Sequence, residues 1–437
     1  MARTIQELKR SACEAIDQNR DKIIALGDAI FNEPELGYKE FKTAAKIQAL
    51  FDDLGYTHRD GVAITGVIAP LKGKESRLKI AIMAELDAVV VPDHPNACST
   101  TGAAHACGHN CMMASLAGVA YALHGTGIME ELSGDIVLMA VPAEEYVEIE
   151  YRNRLREAGK IAFLGGKQEF IRLGALDDID MMLMQHITQP DGAVKASAGD
   201  HCNGFTAKLI RYTGKAAHAG AAPFEGVNAL NAANLGLMAI HAQRETFRDE
   251  DHIRVHPIIT KGGTLVNIVP DDVRMETYVR GSNVQAIFDA SAKVNRALKS
   301  GGDAVGAQTE IIELPGYLPS AFDEELINLA YENLKVLFGE AGAERMGRGF
   351  GGGSTDAGDV SCLIPTLHAY MGGAGGALHS TNFTVADKET AYINAAKTLV
   401  MTAIDLLADG AQAGLAIRKH FKPTMTKQEY LTEWGHL

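Results

Sequence analysis

The chain has 437 residues, more than one hydrophobic core usually supports, so we predict two domains. Hydrophobic residues make up 46%, charged residues 22% and the net charge is -14, which favours a globular protein and argues against nucleic-acid binding. There is no signal-like start, no apolar run of the ~18 residues that a membrane helix needs, and no disulfide framework. We therefore expect a cytoplasmic protein that does not bind a membrane.

Residues 1–202 alternate helix and strand patterns. Apolar spacing predicts helices at 6–31, 39–54, after 109 and at 167–173, and strands at 66–70, 78–84, 135–141 and 181–184. This order is typical of an α/β domain with a mixed, largely parallel sheet and helices on both faces. Ligands bind beyond the carboxyl ends of such strands, where Asp87, Glu144, Glu145 and His186 lie.

Residues 203–314 follow another pattern. Strands are predicted at 205–212, 254–269, 273–279 and 309–314, and helices at 228–247 and 284–298. This β-α-β-β-α-β order is ferredoxin-like and indicates an inserted domain. Residues 315–437 return to the first pattern, with helices at 323–337 and 386–407 and a strand at 366–370. We predict that they complete the first domain.

Two histidines and a cysteine lie within residues 105–109. Cys107 and His109 are separated only by Gly108, and so small a backbone can bend to direct both side chains at one ion. The structural alternative is a buried cysteine beside a satisfied histidine. A thiol nucleophile is disfavoured, because residues two apart rarely form the required hydrogen-bonded pair well. We predict half of a metal centre here.

Further candidate ligands are Glu144, Glu145, His186 and His379. Each alone is typical of a solvated loop or a structural histidine. In a metal site, however, adjacent carboxylates suit two roles: one binds the ion, and the other takes a proton from metal-bound water. Cysteine, histidine and glutamate favour Zn²⁺, Mn²⁺, Co²⁺ or Ni²⁺ over Ca²⁺ and Mg²⁺. The ligands exceed what one catalytic zinc needs, so we predict two divalent ions bridged by one ligand.

Three residues of the inserted segment are candidates for substrate contact. His218, in a turn of small residues, can donate a hydrogen bond to a developing oxyanion. Arg280 can bind a carboxylate bidentately, and Asn267 lies on the preceding predicted strand. A surface histidine and a sheet-surface salt bridge are the structural alternatives. The glycine-rich stretch 347–358 lacks the lysine of a phosphate-binding loop, and we interpret it as an active-site loop with Ser354 or Thr355 capping a helix.

Together these motifs resemble the co-catalytic metallopeptidase and amidohydrolase family, which includes aminoacylases, carboxypeptidase G, indole-acetyl-amino-acid hydrolases and aminobenzoyl-glutamate hydrolases. The segments that carry the resemblance are 105–110, 142–145, 217–230 and 378–380, with His186 after its strand. The cysteine-containing motif indicates the amidohydrolase branch, and segments 267–270 and 352–361 resemble its aminobenzoyl-glutamate hydrolases. The similarity runs from Glu33 to about Leu407.

This resemblance implies a two-metal catalytic domain and a lid domain that forms a homodimer. It implies the following roles: Cys107 bridges the metals; His109, Glu145, His186 and His379 complete their coordination; Glu144 is the general acid/base; His218 reaches into the partner subunit's active site; and Asn267 and Arg280 hold the substrate carboxylate. Peptidase members carry His-x-Asp where this chain has Glu85-Leu86-Asp87, so that histidine ligand is missing and Asp87 is expected only to orient.

The predicted function is a metal-dependent amidase that cleaves an N-acyl or N-aroyl amino acid, with zinc or manganese expected first. The charged segment 146–164 is extra sequence beside Glu145 and is expected to shape the substrate pocket. One alternative is a dipeptidase or aminopeptidase, which needs an acidic group to receive a free α-amino group. Another is a non-catalytic metal-binding protein, against which the Glu144–Glu145 pair argues.

Overall fold

The computed structural model describes residues 3–199, 201–347 and 352–435, in which strands and helices alternate. The strands are β1 (Arg59–Val62), β2 (Gly66–Leu71), β3 (Lys79–Glu85), β4 (Val89–Val90), β5 (Ala103–Ala104), β6 (Asp135–Val141), β7 (Met181–Ile187), β8 (Ala196–Ala198), β9 (Gly204–Thr213), β10 (Arg254–Val255), β11 (Ile258–Lys261), β12 (Asp272–Gly281), β13 (Gln308–Pro315), β14 (Ala343–Arg345), β15 (Thr366–Met371), β16 (Ala374–Gly375) and β17 (Thr384–Val385). The helices are α1 (Ile5–Gln18), α2 (Arg20–Phe31), α3 (Phe41–Asp53), α4 (His109–Leu123), α5 (Ile149–Glu157), α6 (Gly166–Arg172), α7 (Ala229–Gln243), α8 (Val284–Val305), α9 (Glu324–Phe338), α10 (Ala357–Ser361), α11 (Ala395–Leu407), α12 (Gln412–His420) and α13 (Lys427–Glu429).

The larger sheet has eight strands in the order β1-β2-β6-β3-β7-β15-β8-β14. Its centre, from β6 through β3 and β7 to β15, is parallel, whereas β2 and β8 pair antiparallel with β6 and β15. The central strands β3 and β6 are buried almost throughout, as expected for strands covered on both faces. The sheet is therefore mixed and largely parallel, which confirms the predicted fold class.

Parallel pairing brings the carboxyl ends of β3, β6, β7 and β15 to one edge of the sheet. Helix α4 begins at the same edge and packs against β3 and β7. Nearly every residue of α4 is buried, which explains why its sequence is apolar on all faces. The sheet and this helix together form the core beneath the candidate site.

A second, antiparallel sheet has the order β10-β12-β9-β13, with β11 also paired to β12. Helices α7 and α8 pack against it and against each other. The sheet has its own apolar cluster, which includes Tyr212, Val273, Val294 and Leu298. The order of elements is β9-α7-β10-β11-β12-α8-β13, which differs from the predicted β-α-β-β-α-β because the third predicted element is two short strands, β10 and β11, paired with the same neighbour β12. The domain bounds 1–202, 203–314 and 315–437 remain a prediction.

The N-terminal stretch is two helices rather than one. Asn19 separates α1 from α2 with φ -102° and ψ 11°. Its backbone N–H and its side-chain Nδ2 both donate to the carbonyl of Ala15, at 3.2 and 3.0 Å, and this pair of bonds caps the end of α1. The prediction of a single helix from Gln6 to Phe31 was wrong, because apolar spacing alone does not register a change of backbone conformation at one residue.

The strand predicted from 254 to 269 is also shorter than expected. Strand β11 ends at Lys261, and Gly262 and Gly263 follow, with φ +132° at Gly263. That backbone conformation cannot continue a strand, so Asn267 lies in an exposed turn and not on a strand beside Arg280. In contrast, the extra segment contains helix α5, which sparse apolar spacing left unpredicted.

The glycine-rich stretch falls only partly within the described residues. Residues 348–351 of this predicted loop lie outside them. Helix α10 follows, and its N-cap residue is Asp356 rather than Ser354 or Thr355. Thr355 Oγ1 nevertheless accepts from the backbone N–H of Ala357 at 3.2 Å.

Among the described helices, none is by itself long and apolar enough to cross a membrane. One pair, Glu389–Leu407 and Asp409–His420, meets the criterion by length and composition, with a bend of 66° between its members.

Candidate metal centre

Cys107 lies in the sharp turn before α4. Gly108 has φ +81°, and a Cβ there would lie 2.2 Å from Ile187 Cγ2, so both conformation and space require glycine. The backbone N–H of His379 donates to the carbonyl of Ala106 at 2.8 Å and joins the two loops. His379 itself has φ +57°, which is unusual for a residue with a side chain and is typical of functional sites.

Cys107 belongs to two groups of candidate metal ligands. In the first, its Sγ lies 3.4 Å from His186 Nε2, and His109 completes the group. In the second, Sγ lies 3.1 Å from His379 Nε2, which lies 3.1 Å from Glu145 Oε1. The ligand atoms of each group lie within 4.8 Å of one another. One sulfur atom is thus shared by two clusters, as two bridged ions require.

Backbone carbonyls orient two of the histidines. His109 Nδ1 lies 2.9 Å from the carbonyl oxygen of Asp87, and His186 Nδ1 lies 2.7 Å from that of Ile187. With Nδ1 as the donor, each ring keeps the Nε2 lone pair for an ion. His109 Nε2 and Glu145 Oε1 are buried, and the polar atoms that approach them belong to further candidate ligands: Glu85 Oε2 at 3.0 Å and His379 Nε2 at 3.1 Å. Imidazole nitrogens, a thiol and carboxylates converge here, and this donor set fits bound divalent metal ions.

Asp87 holds the backbone of the carboxylate pair. Its Oδ1 accepts from the N–H of Glu144 at 3.1 Å and its Oδ2 from the N–H of Glu145 at 2.9 Å. The two glutamates then diverge: Glu145 joins the Cys107–His379 group, whereas Glu144 Oε2 lies 4.0 Å from His109 Nε2. The position of Asp87 suits the orienting role expected for it.

Sequence reasoning missed a buried ion cluster beside this centre. Glu85 Oε2 lies 3.0 Å from His109 Nε2, and Glu85 forms a third ligand group with His109 and Glu144. Lys167 Nζ lies 2.5 Å from both Glu85 Oε1 and Asp356 Oδ1, and all three residues are fully buried. One signal was available: Glu85 is a carboxylate at the carboxyl end of a central parallel strand.

The two glutamates carry opposite pKa shifts. Burial, reinforced by the negative Glu85, raises the pKa of Glu144 well above its usual value. Burial also acts on Glu145, but the hydrogen bond and charge of His379 outweigh it and lower the pKa to about 2. Burial and Glu145 raise the pKa of the Cys107 thiol. Of these two adjacent residues, Glu144 therefore favours its protonated form and Glu145 favours its anion.

The centre opens into a cavity of about 400 Å³. The cavity is lined by Cys107, Glu144, Glu145, His186 and His379, and by an aromatic wall of mutually contacting rings, Tyr146, Phe205, Tyr278 and Tyr317. Arg280 also lines the cavity, and its Nη1 donates to Ser354 Oγ at 2.7 Å. The carboxylates among the described lining residues are those of Glu144 and Glu145.

His218 and Asn267 lie together but outside this cavity. His218 Nδ1 accepts from the backbone N–H groups of Gly220 and Ala221 at 3.1 and 3.0 Å. The N–H of Ala219 donates to the carbonyl of Asn267 at 2.9 Å. Both side chains are exposed. Within a single chain, Arg280 therefore lines the cavity of the metal centre. His218 and Asn267 lie on the surface of the second sheet unit, which is the antiparallel sheet with helices α7 and α8.

The fold and the shared-ligand clusters define a metal-dependent hydrolase of the peptidase and amidohydrolase type. The profile of Peptidase family M20/M25/M40 matches residues 81–405, and the chain belongs to this family. The mouse Xaa-Arg dipeptidase is 28% identical over 456 residues, covering 98% of this chain and 96% of the relative. The N-acetylcysteine deacetylase of Bacillus subtilis is 27% identical, covering 71% of this chain and 78% of the relative.

A solved structure supports the same fold. The dinuclear metal binding peptidase of the M20 family from Bacillus subtilis matches with a TM-score of 0.65 and 22% identity, covering 90% of this chain and 99% of that one. The resemblance predicted from the motifs is thereby confirmed at the level of the family. The relatives include both a dipeptidase and a deacetylase, so the substrate has to be argued from the cavity.

Proposed function

We propose that this M20-family hydrolase cleaves the amide bond of an N-acyl or N-aroyl amino acid, using two divalent ions, zinc or manganese first, held by the Cys107-centred clusters. The observation that carries the substrate class is Arg280. It lines the same cavity as the clusters, and its side chain donates to His256 Nε2 at 3.1 Å and to Ser354 Oγ at 2.7 Å rather than to a carboxylate. A cation in that position can bind the carboxylate of an amino acid bidentately.

The roles of the chain's own residues follow from their positions. Cys107, with His109 and His186 on one side and Glu145 and His379 on the other, would hold the two ions. Bound divalent ions would supply Lewis acidity and lower the pKa of a coordinated water. The positive charge of bound ions would oppose the effect of burial on the pKa of Glu144 and favour its anion. Glu144, free of both Cys107 groups, would then accept the proton of the attacking water and pass it to the leaving amine nitrogen. Asp87 keeps the two glutamates apart by holding their N–H groups.

The acyl side of the substrate is assigned to the aromatic wall. Tyr146, Phe205 and Tyr317 have ring centroids 4.9–5.4 Å apart, and the cavity is also lined by Leu378. This surface suits an apolar or aromatic acyl group. It offers no described carboxylate beyond Glu144 and Glu145 for a free α-amino group or a basic side chain.

A dipeptidase is the second candidate, and the similarity to Xaa-Arg dipeptidases over nearly the whole chain favours it. Recognition of a basic side chain would need an acidic residue from outside the described cavity lining. The two candidate functions therefore require the same metal centre. They differ in whether an acidic residue joins the substrate pocket.

We also propose a homodimer through the second sheet unit. Its surface carries the exposed apolar side chains Leu235, Met238, Ile258, Leu265 and Val266. Strand β11 adds an edge that has no further strand beside it among the described residues. Exposed apolar side chains beside an open strand edge favour self-association. Asn267 follows Val266 in the chain and His218 pairs with Ile268, so both lie on this surface. We propose that the dimer brings them to the partner's cavity, where His218 stabilises the oxyanion.

A substrate panel tests the proposed function. N-acetyl, N-benzoyl and free dipeptide versions of the same amino acids should be assayed with metal-reconstituted protein and with Glu144→Gln. We expect the N-acyl compounds to be cleaved and the variant to bind metal without turnover. Cleavage of free dipeptides alone would refute the amidase assignment in favour of the second candidate. Activity that survives complete metal removal would refute the metal mechanism for both.

A further inference from the structure

The extra segment 146–164 buries a charge beside the metal centre. Its helix α5 carries Arg154, which is exposed, and Arg152, which is fully buried. A buried guanidinium is costly unless its N–H groups are bonded. The contacts of Arg152 therefore indicate what the extra segment does in the structure.

Arg152 binds backbone carbonyls rather than carboxylates. Its Nη1 donates to the carbonyl of Leu164 at 2.8 Å and to that of Ala143 at 3.3 Å. Its guanidinium carbon lies 5.5 Å from the centre of the Tyr38 ring, and its buried Nε and Nη2 have no hydrogen-bond partner among the described residues. Burial lowers the pKa of Arg152, but the more distant Asp87 and Glu40 help to raise it above its usual value, so the group stays charged.

The Ala143 carbonyl belongs to the turn from which the two glutamates project. Ala143 has φ +56°, a conformation that residues with a side chain rarely adopt. Glu40 Oε1 accepts from its N–H at 2.8 Å, and Asp87 accepts from the next two N–H groups. On the carbonyl side, Arg152 and the N–H of Gly166, at 3.3 Å, supply the contacts. Three buried charged side chains thus surround one strained turn.

Gly37 makes room for this arrangement. A Cβ at Gly37 would lie 2.2 Å from Arg152 Nη2 and 2.9 Å from the Ala143 Cα. Nothing but a glycine fits between the guanidinium and the turn. The segment before α3 is therefore shaped to the arginine that α5 inserts.

We propose that Arg152 is a positioning residue, which holds the Ala143 carbonyl and thereby fixes the directions of Glu144 and Glu145. This inference rests on the proposed function, because the two glutamates act only in that centre. The extra segment then serves the metal centre through the backbone, in addition to any contact it makes with substrate.

The test compares Arg152→Met and Arg152→Lys with Arg154→Met, a matched change on the exposed face of the same helix. Metal affinity is measured by competition with a chelator in the absence of substrate, and kcat and KM are measured with an N-acyl amino acid. Loss of a supporting hydrogen bond at a metal site costs about 10–100-fold in affinity or activity. We expect a loss of that size in metal affinity and kcat for Arg152→Met, with KM little changed and partial rescue in Arg152→Lys.

Two outcomes overturn the inference. One is an Arg152→Met protein with the metal affinity and kcat of Arg154→Met. The other is a protein that only melts at a lower temperature while each folded molecule keeps its metal affinity and kcat, because that is a purely structural role. If Arg152→Met does not fold, Arg152→Lys carries the test: its single ammonium cannot reproduce the guanidinium contacts, so metal affinity and kcat should both fall below those of Arg154→Met, and equal values would overturn the inference. Metal affinity needs no substrate, so a wrong substrate assignment leaves this test intact.

Discussion

Cys107 Sγ lies 3.4 Å from His186 Nε2 and 3.1 Å from His379 Nε2, although the three residues come from separate parts of the chain. At this scale the sequence motifs were informative, since the candidate ligands meet around one sulfur atom. A thiolate that serves two ions is also the ligand whose loss has the widest effect. Substituting it therefore tests both clusters at once.

We expect Cys107→Ser to lose one or both metals while the fold is retained. A serine hydroxyl is a harder and far less acidic ligand than a thiol, so bridging should fail. Metal content by elemental analysis, with circular dichroism as a check on the fold, measures the effect. Cys98→Ser, which changes a partly exposed thiol outside both clusters, is the matched control. Unchanged metal content and turnover in Cys107→Ser would show that the ligand assignment is wrong.

The residues that sequence reasoning missed share one property. Lys167 lies 82 residues from Glu85 and 189 residues from Asp356 along the chain. Neither spacing nor periodicity reports a contact of that range. Glu85 was noticed only as the replacement of an expected histidine, and its partner lysine became visible only with the three-dimensional structure. Arg152 lies in segment 146–164, for which the sequence indicates only that it is charged, and the burial of this one side chain could not be inferred from that.

At the scale of elements, the parallel strands were predictable and their interruptions were not. Continuous apolar runs identified β3, β6 and β7. Candidate ligands were then predicted from their positions just after these strands, because parallel strands end at the same edge of the sheet. Asn19, Gly263 and helix α5 were missed because each depends on local hydrogen bonding or backbone conformation rather than on apolar spacing. Asn267 was placed on a strand for the same reason.

Three separate segments of the chain converge on another buried carboxyl group, that of Asp359 on α10. It accepts from Gln168 Nε2 at 3.0 Å, from Tyr430 Oη at 2.8 Å and from the N–H of Leu318 at 3.2 Å. Burial raises its pKa from 3.8 to about 8 despite these bonds. The folded protein therefore holds one more proton than the unfolded chain between these two values.

Folding stability should accordingly fall as pH rises through that window. One extra proton in the folded state corresponds to a slope of about 1.4 kcal/mol per pH unit. Urea unfolding between pH 5 and 8 should show this slope reduced in Asp359→Asn, whatever the offset in absolute stability. Asp53→Asn, at an exposed position, should leave it unchanged. Parallel curves for wild type and Asp359→Asn would contradict the prediction.

At the scale of the whole molecule, one chain does not bring all the expected catalytic residues together. His218 is exposed and lies outside the cavity that Arg280 lines. If a second copy of the chain supplies His218 to this cavity, a variant that cannot dimerise should also lose catalytic turnover. The sequence contains the His218 motif, but it does not indicate whether the histidine acts in its own subunit or in the partner subunit.

A double variant, Met238→Glu with Ile258→Glu, should turn the proposed dimer into a monomer by placing charges on its apolar face. Removing one oxyanion donor costs about 100–1,000-fold in kcat, so the monomer should lose activity by that order while keeping its metals. Light scattering after size exclusion and steady-state kinetics measure the two effects. Val336→Glu, an equally exposed apolar site on α9, is the control. A monomeric wild type, or a fully active monomeric variant, would contradict the proposal.

The second sheet unit is attached through neighbouring strands. Its first and last strands, β9 and β13, pair with each other, and below them the N–H of Ser320 donates to the carbonyl of Cys202 at 3.1 Å. The flanking strands β8 and β14, which pair in the larger sheet, come from opposite sides of this insertion. Once the second unit has formed, its paired ends bypass residues 204–315, and the loop that must close between β8 and β14 is shorter by the length of the insertion. Because the cost of closing a loop rises with its length at about 0.6 kcal/mol per doubling, prior folding of the second unit lowers the entropy that opposes this pairing by about 1 kcal/mol, and it lowers the contact order of the remaining folding step.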